Sequence, residues 1–237
     1  MSFDIAFLKS NKYCFFNNVD KYAHHLNSVF DLINDAWENP APKTARSTKE
    51  GYTFFEGAIL PNILFVQDFE ESHMEDIKSF MIESKAKEGI EKLLNSNIGI
   101  CNVRAYRYTN NPPKEKTHYL DDLDHRKSIE PHVDSLPKPC LKIMIYKSLD
   151  SDVLTKEHGV IEVNPKGEWI PAVGKSPVVI LFPPSIVLHR ALRPAPGKIR
   201  DAIEITIIKR KPADFLVESC GPHAGYPKDI EAWNKRI

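Results

Sequence analysis

The sequence predicts a mostly β fold, an antiparallel sandwich or barrel with α-helices packed against one side. Two observations carry that expectation. From about residue 98, six short runs rich in Val, Ile and Tyr succeed one another: IGICNVRAYRYT, PCLKIMIYKS, HGVIEVNP, GEWIPAV, SPVVILFPP and RDAIEITIIKR. Pro, Gly, Asn and Asp punctuate them, as turns between short strands do, and no βαβ rhythm separates them. Ahead of them stand two stretches with apolar residues at helical spacing. No internal repeat or low-complexity linker divides the chain, so a single domain over residues 1–237 is expected. Within it, 1–97 reads as a mixed helical and strand part, 98–210 as the β core and 211–237 as a C-terminal extension.

The elements follow in order. VDKYAHHLNSVFDLINDAWE sets Leu26, Val29, Phe30 and Ile33 on one helical face, with Asp20 as the N-cap. PAPKTARSTKEGY then breaks the chain into loop. ESHMEDIKSFMIESKAKEGIEKLLNS predicts one longer helix carrying Ile77, Phe80, Met81, Ile90, Leu93 and Leu94. After the strands begin, the Pro-rich RPAPGK reads as a hairpin loop that brings residues near 189 beside residues near 200. Trp37, Phe54 and Phe55 are expected in the core.

Charge and composition exclude several classes. Hydrophobic residues make up 42% of the 237 and charged ones 27%, the balance of an ordinary globular chain. Lys plus Arg equals Asp plus Glu, 32 of each, which argues against a nucleic-acid partner. No apolar stretch approaches the ~20 residues needed to span a bilayer, and the start lacks the basic-then-apolar pattern of a secretory signal. Cys14, Cys101, Cys140 and Cys220 are scattered, which suits reduced thiols in a cytoplasmic protein and argues against a zinc ribbon or disulfide scaffold.

The chemistry-bearing residues begin at EPHVDS, residues 130–135. Imidazole and carboxylate are both ligands for a borderline divalent metal, and at i and i+2 of an extended segment His132 and Asp134 share a face. Alone, the pair reads better as a solvated turn with a local hydrogen bond. His189 ends a strongly apolar run, where a third ligand can project from a neighbouring strand, and Arg200 follows eleven positions later. VRAYRYTNNPP supplies Tyr106 and Tyr108 on one strand face, where packing is the alternative to a role in a cavity. His118 and His125 lie in the charged segment before the HxD, which reads as a solvated loop, with an active-site lid as the functional alternative. Cys220 and His223 have ligand-like spacing but no partner pair.

Together, His132-x-Asp134, His189 and Arg200 resemble the pattern of the 2-oxoglutarate-dependent, non-haem iron(II) oxygenases: HxD, a distal His and an Arg beyond it. The likeness covers roughly residues 100–210, with a Tyr-bearing strand before HxD, CLKIMIYKS after it, and VGKSPVVILFPPSIVLHRAL leading to the distal His. The resemblance implies a double-stranded β-helix, a cupin-like jelly roll, over the β core. It implies iron(II) held by His132, Asp134 and His189, with Arg200 gripping the distal carboxylate of 2-oxoglutarate and Tyr108 hydrogen-bonding the cosubstrate. Many members have Arg-x-Ser, whereas RDA here puts Ala202 at the Ser position, leaving Tyr108, Tyr106 or Lys142 to supply the missing bond. Arg190 and Arg193 are neighbouring competitors for the anchor. Relatives that halogenate lack the carboxylate of the HxD, so Asp134 points to hydroxylation or a related oxidation.

The implied activity is dioxygenase chemistry: dioxygen and 2-oxoglutarate are consumed, succinate and carbon dioxide released, and an unactivated C–H bond oxidised. Modest size and neutral charge make a small metabolite the expected substrate, with amino acids and their relatives the first candidates. Two other readings fit the same scaffold: a binding or structural protein without turnover, and a cupin-like metalloenzyme that uses no 2-oxoglutarate, in which Arg200 is dispensable.

Overall fold

The computed structural model describes residues 4–39, 44–47, 53–56, 59–60, 63–66, 69–109, 130–134, 136, 139–210 and 215. The chain opens with helix α1 (Ile5–Asn11), whose first turn is capped by the Asp4 carboxylate accepting from the Phe7 N–H at 2.9 Å. A short strand β1 (Cys14–Phe15) and two 3₁₀ turns, Val19–Lys21 and Ala23–Leu26, lead into helix α2 (Asn27–Glu38). Asp20 is therefore no N-cap: it sits inside the first 3₁₀ turn, and α2 grows from the second without a capping side chain. Leu26, Val29, Phe30 and Ile33 are buried as their spacing predicts.

The expected long helix is two, α3 (Glu71–Glu83) and α4 (Ala86–Leu94), separated at Lys85 with φ of 58°. Phase explains the break. In one continuous helix Ile90 would lie about two and a half turns from Met81, on the opposite face. The kink rotates the second helix so that Ile77, Phe80, Met81 and Ile90 all reach one core, and the Ser84 Oγ accepts from the Ala86 N–H at 3.3 Å as α4 starts. The segment read as loop before α3 contains strand β2 (Thr44–Ser47), paired antiparallel with β3 (Thr53–Glu56). Backbone pairing defines this hairpin; TARS has no apolar alternation to announce it.

The six predicted runs form strands: β6 (Ile98–Thr109), β7 (Cys140–Ser148), β9 (Ile161–Asn164), β10 (Ile170–Pro171), β12 (Val178–Phe182) and β14 (Ile199–Lys209). With β4 (Ile59–Leu60), β5 (Ile63–Phe65), β8 (Val153–Leu154), β11 (Gly174–Lys175) and β13 (Leu188–Ala191), they make the sheets of a jelly roll. Among the described residues the main sheet runs β1-β12-β7-β14-β6-β5-β4, a second runs β10-β9-β13, and β11 pairs with β8. Every pairing is antiparallel.

RPAPGK is not a hairpin loop. β13 pairs with β9 and β14 with β6 and β7, so the segment crosses from one sheet to the other. The geometry leaves no alternative, because the other edge of β13 is taken by the HxD segment through a His132–His189 bridge.

Two-residue alternation divides the main sheet. Ile203, Ile205 and Ile207 face the helices, packing with Val103, Ala105, Ile143 and Ile145 against α2 and α3. On that outer face Arg107 grips Asp201 through two bonds, Nε–Oδ1 at 2.7 Å and Nη2–Oδ2 at 3.0 Å. The same guanidinium reaches Asn34 Oδ1 at 3.1 Å and lies 5.3 Å from the Trp37 ring, tying α2 to the sheet. Met144, Tyr146, Val178, Ile180, Phe182 and Ala202 point the other way and pack with Ile161 and Val163 of the second sheet and with Val160 just before it. Burial pushes the Cys14 and Cys140 thiols up to about 12, so both are inert, and Cys101 is buried as well. No helix among the described residues is long and apolar enough to cross a membrane.

Candidate metal centre

The site begins with the backbone. His132 and His189 exchange both main-chain bonds, His132 N to His189 O at 3.0 Å and His189 N to His132 O at 2.9 Å, so their side chains emerge together on one face. Asp134 continues the extended segment, its N–H donating to Pro184 O at 2.9 Å, and its side chain returns to the face of His132. The three donor atoms lie within 4.8 Å of one another. Asp134 Oδ1 is 3.6 Å from His132 Nε2 and 3.5 Å from His189 Nε2.

Each ring is oriented from behind. His132 Nδ1 contacts Glu130 O at 2.8 Å and His189 Nδ1 contacts Val187 O at 3.0 Å. A carbonyl can only accept, so each Nδ1 carries the proton and each Nε2 turns a lone pair toward the common centre. Phe182 holds the His189 ring with an edge contact at 5.1 Å. Lys142 anchors the other carboxylate oxygen, Nζ–Oδ2 at 2.7 Å, leaving Oδ1 to the histidine side. Burial pushes the Asp134 carboxyl up, but the Lys142 ammonium opposes it, and the carboxyl stays well below the usual carboxylate range. The set is two imidazoles and one ionised carboxylate on one face, the donor chemistry of a 2-His-1-carboxylate metal site with open positions.

Arg200 lies deeper, on the same inner face of β14, 1% exposed. Its Nε donates to Gly159 O at 2.8 Å. Tyr146, Tyr108 and Tyr106 surround the guanidinium, with ring centroids 4.4, 5.0 and 5.7 Å from its central carbon. Its Nη1 is buried without a hydrogen-bond partner. A buried guanidinium with one unpartnered nitrogen, Nη1, in a cage of phenols fits a carboxylate, which would accept from both. Burial raises the Tyr106 and Tyr146 hydroxyls above their ordinary values, so they stay O–H donors at any working pH.

Tyr108 sits directly opposite Arg200 in the β6–β14 register. Ala202 is flanked by Tyr106 on one side and Tyr146 on the other. Tyr146 was not singled out by the sequence reading; its even spacing from Lys142 on β7 is the signal that puts it on the inner face. Lys142, one candidate to replace the missing Ser, is engaged elsewhere, at Asp134 and at Glu204 Oε1, 3.2 Å away. Arg190 is also committed, bonding Glu162 at 2.8 and 3.0 Å and lying over Trp169. His118, His125, Cys220 and His223 lie outside the described residues. A second cluster of potential ligands, His24, His25 and Glu83, is more exposed and belongs to the helical part.

No family model matches the sequence, and no curated protein does. Solved structures do match. The non-heme alpha ketoglutarate dependent epimerase SnoN from nogalamycin biosynthesis superposes with a TM-score of 0.56 at 11% identity, over 87% of this chain and 81% of its own. The carbocyclase SnoK from the same biosynthesis gives 0.53 at 11% identity, over 87% and 83%. A prolyl hydroxylase from Trichoplax adhaerens, in complex with a hypoxia inducible factor peptide, gives 0.50 at 14%, over 85% and 86%. This is the fold of the iron and 2-oxoglutarate-dependent oxygenases. At such identities the likeness concerns the double-stranded β-helix itself; the residues of the oxygenase-like site rest on their own geometry.

Proposed function

We propose that this chain is an iron(II)- and 2-oxoglutarate-dependent dioxygenase that hydroxylates an unactivated C–H bond of a small molecule. One observation carries the reading. Three side chains of metal-ligand type converge on one face of the barrel, and the same interior holds a buried Arg200, caged by tyrosines, whose Nη1 has no hydrogen-bond partner. His132, Asp134 and His189 would hold the iron. When bound, iron and 2-oxoglutarate supply the oxidising power, with dioxygen consumed and succinate and carbon dioxide released.

The remaining work belongs to the chain. Arg200 and the phenols of Tyr146 and Tyr108 grip the distal carboxylate of the cosubstrate, taking the part that Ala202 leaves empty. Gly159 O holds the guanidinium through Nε, which leaves Nη1 for the cosubstrate. Lys142 keeps Asp134 ionised and turned so that one oxygen alone faces the metal. Val163, Phe182 and Val187 exclude water around the histidines. SnoN and SnoK are an epimerase and a carbocyclase, so the same scaffold supports outcomes other than hydroxylation. A carboxylate in the third ligand position leaves no place for halide, which separates this centre from halogenation.

The test is anaerobic addition of iron(II) and then 2-oxoglutarate to metal-free protein. A visible charge-transfer band is expected, and it should vanish in His132→Ala. Folded protein that shows no band would overturn the reading in favour of a scaffold without turnover or a metalloenzyme of another kind. Incorporation of label from ¹⁸O₂ into product then separates hydroxylation from ring closure or epimerisation.

A further inference from the structure

The row of residues that supports the metal ligands extends across the main sheet beyond them. Register places Phe182, Lys142, Thr206 and Asn102 side by side on β12, β7, β14 and β6. Phe182 packs on His189, and Lys142 bonds Asp134. The next two members have no such employment. Thr206 is 0% exposed and its Oγ1 has no hydrogen-bond partner; Asn102 is 1% exposed and neither Oδ1 nor Nδ2 has one. Adjacent strands are about 4.8 Å apart, so Thr206 stands one strand from the Asp134 anchor and Asn102 two. Buried polar atoms are nearly always satisfied, and three bare ones on neighbouring residues beside a metal-ligand set point to a partner the protein itself does not contain.

Charge defines that partner's chemistry. The adjoining row sets Glu204 against Arg104 and Met144. Burial pushes the Glu204 carboxyl up, but Lys142 and Arg104 outweigh it and keep it ionised. The charged side chains next to the row are thus already paired, Lys142 with Asp134 and Glu204, and Arg104 with Glu204, and Arg200 is committed to the cosubstrate. Asn102 and Thr206 themselves carry no charge. A neutral amide matches what remains. The Asn102 side chain can donate Nδ2–H to an amide carbonyl and accept that amide's N–H at Oδ1, a reciprocal pair, while the Thr206 hydroxyl fills the carbonyl's second lone pair.

We propose that Asn102 and Thr206 form the subsite that holds the substrate of the oxygenase, and that the group they take is an uncharged amide. The inference rests on the oxygenase reading for its position next to the metal. Its test is calorimetric titration of the anaerobic iron(II)–2-oxoglutarate protein with amides and their matching acids: L-glutamine and L-glutamate, L-asparagine and L-aspartate, nicotinamide and nicotinate. At least one amide should bind tenfold or more tightly than its acid. Asn102→Leu/Thr206→Val should abolish that preference while keeping the charge-transfer band, and should raise the unfolding temperature of the ligand-free protein because bare polar groups have gone.

Acids binding as well as amides, no amide binding at all, or a double variant that keeps the preference would each overturn the proposal. A double variant that unfolds at lower temperature would do so too, since the two side chains would then be satisfied by water inside the fold. If the wild-type band itself fails, the iron reading falls, and the same titrations on metal-free protein decide the amide subsite alone.

Discussion

The two faces of β14 make the most instructive contrast in the molecule. Ile203, Ile205 and Ile207 on the outer face are apolar and fully packed, and the one charge beside them, Asp201, is matched by Arg107. Arg200, Glu204 and Thr206 on the inner face are polar, equally buried and incompletely satisfied. Burial is the same on both sides; completion is not. A face finished by the protein's own atoms serves stability, and one left unfinished has its remaining bonds to make with something else.

Substitutions on the two faces should therefore fail differently. The largest effect belongs to the proposed ligands: His132→Ala or Asp134→Ala should reduce 2-oxoglutarate-coupled succinate release to background, with thermal unfolding little changed. Full activity in either would remove that residue from the ligand set. Arg200→Ala should weaken 2-oxoglutarate roughly a hundredfold or more, since two charge-assisted bonds at about 1.5–3 kcal/mol each are lost, while metal binding persists. Unchanged cosubstrate affinity would sink the anchor assignment.

On the outer face, Ile205→Ala should cost about 2–5 kcal/mol in urea unfolding yet leave the cosubstrate affinity of the folded protein intact. A parallel loss of affinity would mean the faces are not independent. Lys142→Met frees the second oxygen of Asp134, and iron affinity should fall roughly 10–100-fold in an anaerobic competition with a chelator.

The smallest effect is in the second sheet. Burial pushes the Glu162 carboxyl up, but Arg190 and Lys156 outweigh it and hold it below its ordinary value. Its contribution to stability is present above the unfolded value of about 4.3 and is lost as pH falls through the lower folded value. Glu162→Gln should lower stability at neutral pH and make the acid decline shallower. An unchanged acid limb would assign the decline to other carboxylates.

The strands were legible because each is a run of β-branched and aromatic residues bounded by turn formers, and IGICNVRAYRYT and RDAIEITIIKR match β6 and β14 to within a residue. The convergence of His132, Asp134 and His189 was legible because spacing of two on an extended segment, plus a His closing an apolar run, is a local signal. What escaped was not local. The break at Lys85 follows from where the core lies relative to α3 and α4. The crossing at RPAPGK follows from the HxD segment occupying the edge of β13. Tyr146, Asn102 and Thr206 looked like ordinary strand residues until register put them in rows with Ala202 and Lys142. The Gly159 carbonyl that holds Arg200 has no side-chain signature at all.

The alternation of β14 also limits how such a chain can diversify. Inserting or deleting one residue between Arg200 and Thr206 would carry every following side chain to the opposite face, placing isoleucines in the site and carboxylates among the helices. Changes of length are therefore closed to this strand, and new specificity must arise by exchanging side chains in place. β6 shows where an extra residue is tolerated. Its register shifts past Asn102, between Thr206 and Ile207 of the partner strand, so the added residue is Cys101, at the end of the row system farthest from Arg200.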